Sequence, residues 1–416
     1  MKKRAILYLA LLMCLAVFVG SAPAYYRSVT PTWEAATVLY GEAVCPTLLP
    51  GSEDGSVIIR WVSWTAKPVT LHYGEDDGSG VLGEGHSVLP VSCERSGALG
   101  LFVYSAELYL TPGEWLYSLT EEGETEPGVL YPIHWRTGEA FRVVMSSDSH
   151  VSNGAQTAPY EEAIAAALGT EGADLIIHGG DLNDNTEASP YVLSHNAPHT
   201  RSVPTLALCG NHDLAVMIYG YFTPPHLEAR TGDYWTVQGN VLFVGLNVNL
   251  RDMPAHQRYL REAVTDHREG CDWVVLLIHY SMMSNGAHAM DGPVIQFRDA
   301  LRELIAELDV DLVISGHDHE YDRSYLIGAE DMVEGSGGET VEKEPGQALY
   351  LSLPTASGVK HYSRSRESLY PLAVEGLLHE RGYVTAEFTP ECVRFQARSA
   401  DTDETVDRFV LRRGEG

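Results

Sequence analysis

The sequence predicts an α/β domain preceded by a small all-β sandwich. Three observations point there. Residues 25–138 carry short β-branched and aromatic runs divided by Gly, Pro and acidic turn residues. From Phe141 onward, apolar strand-like runs alternate with helical stretches. Five of those later runs each end in Asp, Asn or His.

The chain begins with Met1-Lys2-Lys3-Arg4, then apolar Ala5–Val19, then the small-residue pattern Ala22-Pro23-Ala24. These are the three parts of a signal peptide, with cleavage expected after Ala24 and a secreted or extracytoplasmic product. The apolar run is shorter than the ~20 residues a spanning helix needs. The residues before Cys14, Leu11-Leu12-Met13, lack the small side chain a lipoprotein signal requires. No later stretch is long and apolar enough for an integral span in the mature chain. A length of 416 residues leaves room for two or three domains, and 44% hydrophobic content supports packed cores. The boundaries expected are 1–24 for the leader, 25–138 for the β-sandwich and 139–416 for the α/β domain.

Five cysteines follow the leader, an odd number, so at least one is unpaired. Cys209 and Cys271 lie beside expected strands and read as small buried hydrophobes. Cys45 and Cys93 could form a disulfide, which sequence leaves open. Net charge is −29; without Lys2, Lys3 and Arg4 it is 25 basic against 57 acidic side chains, or −32. That disfavours nucleic-acid backbones and anionic membranes as partners. An anionic substrate would need local attraction from bound cations.

In the first region Val57–Trp61, Val69–Tyr73, Phe102–Tyr109 and Trp115–Leu119 read as strands, with a turn at Thr111-Pro112-Gly113. No His or carboxylate cluster there has metal spacing, so the region reads as a structural or binding module. In the second region Tyr160–Leu168, Gln257–Asp266 and Val294–Leu308 are helical. Leu175–His178, Thr205–Cys209, Val241–Leu246, Trp273–Ile278 and Leu312–Ser315 are strands. Glu330–Pro345, acidic and Gly-rich, reads as a mobile surface loop. Strands return at Ala348–Leu353, Tyr383–Phe388, Val393–Ala397 and Phe409–Leu411.

The chemistry gathers where these strands stop. Phe141–His150, FRVVMSSDSH, is a buried run followed by Asp148 and His150, which share one face of an extended segment. Leu175–His178 leads into Gly180-Asp181, and Thr205–Cys209 into Gly210-Asn211-His212-Asp213. Trp273–Ile278 leads into His279, and Leu312–Ser315 into Gly316-His317-Asp318-His319. Ligands of open α/β sheets bind beyond the strands' carboxyl ends, so these residues are expected to converge at a common sheet edge. Mixed N and O donors without thiolate suit Fe, Mn or Zn better than Ca or Mg. Seven candidates exceed the needs of one tetrahedral ion. Two ions about 3.5–4 Å apart are the usual device for displacement at phosphorus.

In order, Asp148-x-His150, Gly180-Asp181, Gly210-Asn211-His212-Asp213, His279 and Gly316-His317-x-His319 resemble the five signatures of the calcineurin-like metallophosphoesterases. Gly316–Ser324, His279-Tyr280-Ser281, and Asn285, His288 and Met290-Asp291-Gly292 are similar to the purple acid phosphatase branch. The β-region resembles that branch's fibronectin-like domain, and Asp407-Arg408-Phe409 its C-terminal segment. The resemblance implies a four-layer α/β/β/α sandwich. It implies Asp148, His150 and His319 on one metal, Asp181 as a bridge, and Asn211, His279 and His317 on the second. His212 would contact the phosphate and protonate the leaving oxygen, Asp213 would orient His212, and His288 would sit over the substrate. His178, Asp184, Asp318 and Arg323 read as supporting residues, and His195 and His199 as surface. The coloured enzymes place an iron-ligating Tyr where this chain has Asp184 and tend to lack the counterpart of His150. That argues against a Tyr–Fe(III) centre.

The function expected is hydrolysis of small phosphate monoesters by a metal-bridging hydroxide. A phosphodiesterase or nucleotidase on the same ligands is the alternative. A surface-binding protein with an inactive site is the alternative of another class.

Overall fold

The computed structural model describes residues 46–414 except 64, 96–101, 122–123, 125–127, 136–139, 170–171, 185–196, 330, 334, 365–369 and 371. The expected leader, Cys45 and His195 lie outside the described residues.

Eight strands precede Phe141: β1 (Thr47–Pro50), β2 (Ser56–Ser63), β3 (Val69–Glu75), β4 (Ser87–Val91), β5 (Cys93–Arg95), β6 (Phe102–Tyr109), β7 (Gly113–Glu121) and β8 (Tyr131–Trp135). They form two four-stranded antiparallel sheets, ordered β1-β2-β6-β5 and β4-β3-β7-β8. Along β2 the alternate residues Val57, Ile59 and Trp61 are buried, the period-2 pattern of a half-buried strand. Trp61 stacks on Tyr104 with ring centroids 4.8 Å apart.

The rest of the chain builds two seven-stranded mixed sheets. One is ordered β11-β10-β9-β20-β21-β22-β17, from β9 (Phe141–Ser146), β10 (Leu175–His178), β11 (Thr205–Ala207), β17 (Thr340–Lys343), β20 (Gly382–Phe388), β21 (Cys392–Ser399) and β22 (Thr405–Arg413). The other is ordered β12-β13-β14-β15-β18-β16-β19, from β12 (Tyr234–Gln238), β13 (Val241–Leu246), β14 (Trp273–Ile278), β15 (Leu312–Ser315), β16 (Tyr321–Ser324), β18 (Leu349–Ser352) and β19 (Leu372–Gly376). Four α-helices accompany them among the described residues: α1 (Gly154–Leu168), α2 (Ala215–Tyr221), α3 (Met253–His267) and α4 (Gly292–Glu307).

The β14 sequence WVVLLI explains the layering. Trp273, Val275 and Leu277 enter the core between the two sheets, where they meet Val143, Met145, Ile177, Val384 and Phe395 of the other sheet. Val274, Leu276 and Ile278 face the opposite way, into a second core with Leu260 and Val264 of α3 and Val294, Phe297 and Leu301 of α4. A strand buried on both faces needs this continuous apolar run. Helix α1 packs on β9 and β20 of the other sheet. The result is the four-layer α/β/β/α sandwich.

The small sandwich and the layered domain are joined by polar contacts. Arg60 Nε donates to Gly220 O at 2.9 Å, Thr47 Oγ1 to Tyr221 O at 3.1 Å, and Gly239 N to Asp54 Oδ1 at 2.9 Å. Three expectations need correction. The segment 330–345 is not loop throughout: β17 within it pairs in parallel with β22 from Thr340↔Val410 to Lys343↔Arg413. Cys271 is only half-buried, whereas Cys209 is fully enclosed; Cys93, Cys209, Cys271 and Cys392 are all free thiols. His199 is buried, not on the surface; its Nδ1 contacts the Glu161 carboxylate and ties the 3-10 turn Pro198–Arg201 to α1.

Candidate metal centre

The five loops leave parallel strands at matching heights, but from two sheets. Met145 of β9 pairs with Ile177 of β10, and His178 of β10 with Ala207 of β11. In the facing sheet Leu277 of β14 pairs with Ile314 of β15. The site therefore bridges the carboxyl edges of both sheets, and not a single edge as the sequence suggested. Backbone bonds sew the loops together: Asp148 N to Gly180 O at 2.9 Å, His150 N to Asp181 O at 3.0 Å, and Gly316 N to His279 O at 2.9 Å.

Asp148, His150, Asp181, His317 and His319 all hold left-handed backbone, with φ of +52°, +45°, +53°, +76° and +61°. Asp and His tolerate this region better than most residues but still at a cost. Such outliers cluster where function fixes the geometry. Two glycines make room for the turns. A Cβ on Gly210 would stand 2.1 Å from Asp181 Oδ1, and one on Gly316 1.9 Å from Ser147 Oγ.

Two triads result. Asp148, His150 and His319 offer ligand atoms within 4.8 Å of one another, and so do Asp181, His279 and His317. Asp181 Oδ2 lies 3.7 Å from His150 Nε2 and 3.3 Å from His279 Nε2, so it faces both groups. Asn211 Oδ1 lies 3.0 Å from His279 Nε2. All seven metal candidates are thus brought together. His279 Nδ1 reaches Gly179 O at 2.9 Å and His319 Nδ1 reaches Lys360 O at 2.7 Å. A carbonyl only accepts, so these bonds put a proton on Nδ1 and turn Nε2 toward the carboxylates, where a cation would take the place of any second proton.

The electrostatics are those of a pocket made for positive charge. Burial raises the Asp148 carboxyl, yet His319, His279 and His150 outweigh it and hold it below the usual carboxylate range. Burial lowers His279, but Asp181 and Asp148 prevail and lift it to about 10. Burial takes His150 down to about 4 and His317 well below an ordinary imidazole. Asp148 Oδ1, His150 Nδ1 and His317 Nε2 are buried without a hydrogen-bond partner, which is costly unless another group engages them. Buried carboxylates, unpaired N and O donors and fixed tautomers fit two cations of the Fe, Mn or Zn type.

Among the expected catalytic residues, His212 is half-buried beside the first triad. Its Nδ1 lies 3.1 Å from Asp184 Oδ1, and its backbone N donates to Asp181 Oδ1 at 2.8 Å. Asp213 serves the loops instead: it accepts from Leu182 N, Asn183 N, Asn183 Nδ2 and Gly210 N at 2.9–3.3 Å. The carboxylate set against the His212 ring is that of Asp184, which sequence reading had assigned to support. The His288 ring packs against that of His317, centroids 4.5 Å apart and tilted by 35°, and its Nδ1 lies 2.9 Å from Asp291 Oδ2. Asp318 accepts from His288 N at 3.0 Å and from Ser284 Oγ. His178 Nε2 contacts Ser149 Oγ at 2.9 Å behind the first loop, and Arg323 binds Asp407 on β22 at 2.7 Å. Lys360 and Tyr362 also line the site and were missed. Tyr362 packs edge-on to His288 and His319, at 4.6 and 4.5 Å. No periodicity or spacing marks either residue, because they reach the site on a loop after β18. A cavity of about 330 Å³ opens beside Asn211 and His317, with Arg251, Tyr280 and Asp291 on its walls.

Comparison with known proteins bears on the family and the fold. Residues 141–321 match the family model described as calcineurin-like phosphoesterase. A purple acid phosphatase from yellow lupin (Lupinus luteus) seeds superposes with a TM-score of 0.74 at 16% identity, covering 89% of this chain and 74% of that one. The two share a fold. A phosphoenolpyruvate phosphatase of Allium cepa is 41% identical over 61 residues, 14% of this chain and 12% of the onion protein's length.

Proposed function

On the premise that residues 141–321 are a calcineurin-like phosphoesterase domain, we propose that this chain is a dinuclear metal-dependent phosphatase of small phosphate monoesters, exported by way of residues 1–24. We further propose that 25–138 is a fibronectin-like module bracing the catalytic domain 139–416. One observation carries the reading: two buried Asp/His triads with Asp181 facing both. Asp148, His150 and His319 would hold one cation, and Asn211, His279 and His317 the other, with Asp181 between. When bound, such a pair supplies Lewis acidity and an acidified water able to attack phosphorus.

The chain's own residues do the rest. Phosphate esters must be held in line and their departing oxygen protonated. His212 would supply that proton, and Asp184, 3.1 Å from its Nδ1, would hold the ring so that Nε2 serves the substrate. His288 covers the site from the side of His317. The cavity walled by Arg251, Tyr280 and Asp291 receives the polar alcohol that departs.

The deciding experiment is elemental analysis of protein grown with Mn, Fe and Zn, joined to assays of p-nitrophenyl phosphate and bis(p-nitrophenyl) phosphate across pH. About two metals per chain and faster monoester turnover are expected. Diester turnover alone would make it a phosphodiesterase. Metal-free, inactive protein would leave a binding function. Amino-terminal sequencing of exported protein should begin at Tyr25.

A further inference from the structure

The loop after β18 brings one lysine to the mouth of the site. The Lys360 carbonyl accepts the Nδ1–H of His319 at 2.7 Å, so its backbone is fixed to the ring of a candidate ligand. Its ammonium lies 5.3 Å from the centroid of the Tyr362 ring, and that ring packs against His288 and His319. It forms a loose ion pair with Asp184 Oδ1 at 3.6 Å, longer than a hydrogen bond. Asp184 has a nearer partner in His212 at 3.1 Å. Asp184 therefore stands between the His212 ring and the Lys360 ammonium, and the Lys360 side chain, 30% exposed, remains open to solvent at the site. In a chain of net charge −29, a cation at this place offsets repulsion of an anionic substrate.

We propose that Lys360 reads the charge of the phosphoryl group, favouring a dianionic monoester over a monoanionic diester. The inference rests on the phosphoesterase reading above. Lysine presents a compact charge without a directional fork, so it senses how much negative charge arrives more than its shape. A phosphate monoester carries nearly two charges at neutral pH, its second pKa being about 6, whereas a diester carries one.

The test uses metal-loaded wild type, Lys360→Met and Lys360→Arg. Measured are kcat/KM on p-nitrophenyl phosphate and on bis(p-nitrophenyl) phosphate, calorimetric binding of inorganic phosphate, and metal content. For Lys360→Met we expect about a tenfold loss on the monoester, about tenfold weaker phosphate binding and less than about a threefold loss on the diester. Metal content should be unchanged, and Lys360→Arg should recover most of the loss. Equal losses on both esters, unaltered phosphate binding, or loss of metal through His319 would each overturn the proposal. If wild type cleaves neither ester, the phosphatase reading falls, while the phosphate titration still decides the role of Lys360.

Discussion

At the scale of single residues, Asp181 and His212 test the two halves of the proposed mechanism, holding metal and moving a proton. Asp181 faces both triads, so Asp181→Ala should lose metal and activity together, as elemental analysis beside the ester assay will show. His212 is not in either fully buried triad, although with His150 and Asp184 it forms a third, more exposed group. His212→Ala should therefore keep its metal while kcat falls about 10²–10⁴-fold, the usual worth of a placed proton donor. Metal lost from that variant would refute the assignment. Asp184→Asn should lower kcat with metal retained; an unchanged kcat would mean that the 3.1 Å contact does not orient His212. All seven ligand candidates were legible in the sequence because each follows a strand end directly. The partner of His212 was misjudged between Asp184 and Asp213, since adjacency along the chain does not say which carboxylate the loops consume. Lys360 was invisible because its relation to His319 is made by a backbone carbonyl, which any residue type supplies.

At the scale of elements, two buried charge clusters hold strands and helices in place. Lys343 of β17 bonds Asp311 at 2.6 Å and Asp309 at 2.9 Å, and Arg413 of β22 bonds Asp311 at 2.7 Å. Asp311→Ala would leave the enclosed Lys343 ammonium with poor compensation, a loss of about 3–5 kcal/mol expected from denaturant midpoints. A shift under about 1 kcal/mol would show the cluster to be idle. In α3, His256 is fully buried, with Nδ1 2.8 Å from Asp233 and Nε2 2.8 Å from Leu250 O. Burial lowers its pKa, but Asp233, Leu250 O and Asp252 outweigh that and raise it. The stability it contributes is therefore full below the unfolded value near 6.5 and declines as pH climbs through the raised folded value. The melting-temperature gap between wild type and His256→Asn should narrow from pH 6 to pH 9; a constant gap would argue against the pair. The long apolar strands and the amphipathic helices α3 and α4 were readable from period, and the latter part of α1 from its Ala and Glu content. β17 and β4 were not. TVEK and SVLPV are short edge segments, and what makes them strands is the partner already waiting at β22 or β3.

At the scale of the whole molecule, the small sandwich is anchored by Thr47, Asp54 and Arg60. Residues 139–416 expressed alone should melt earlier than the full chain, and equal melting would make the sandwich a mere passenger. The seam between β9 and β20 carries a further consequence. Val384 pairs with Met145, so the strand leading into Asp148 and His150 waits for a neighbour made long after it along the chain. Contacts so distant along the chain form late. A nascent polypeptide still short of Gly382 has the motifs and no cradle for cations. Cations of the proposed centre would then bind only after β20 has been made and has docked, and the surroundings at that moment would choose the element.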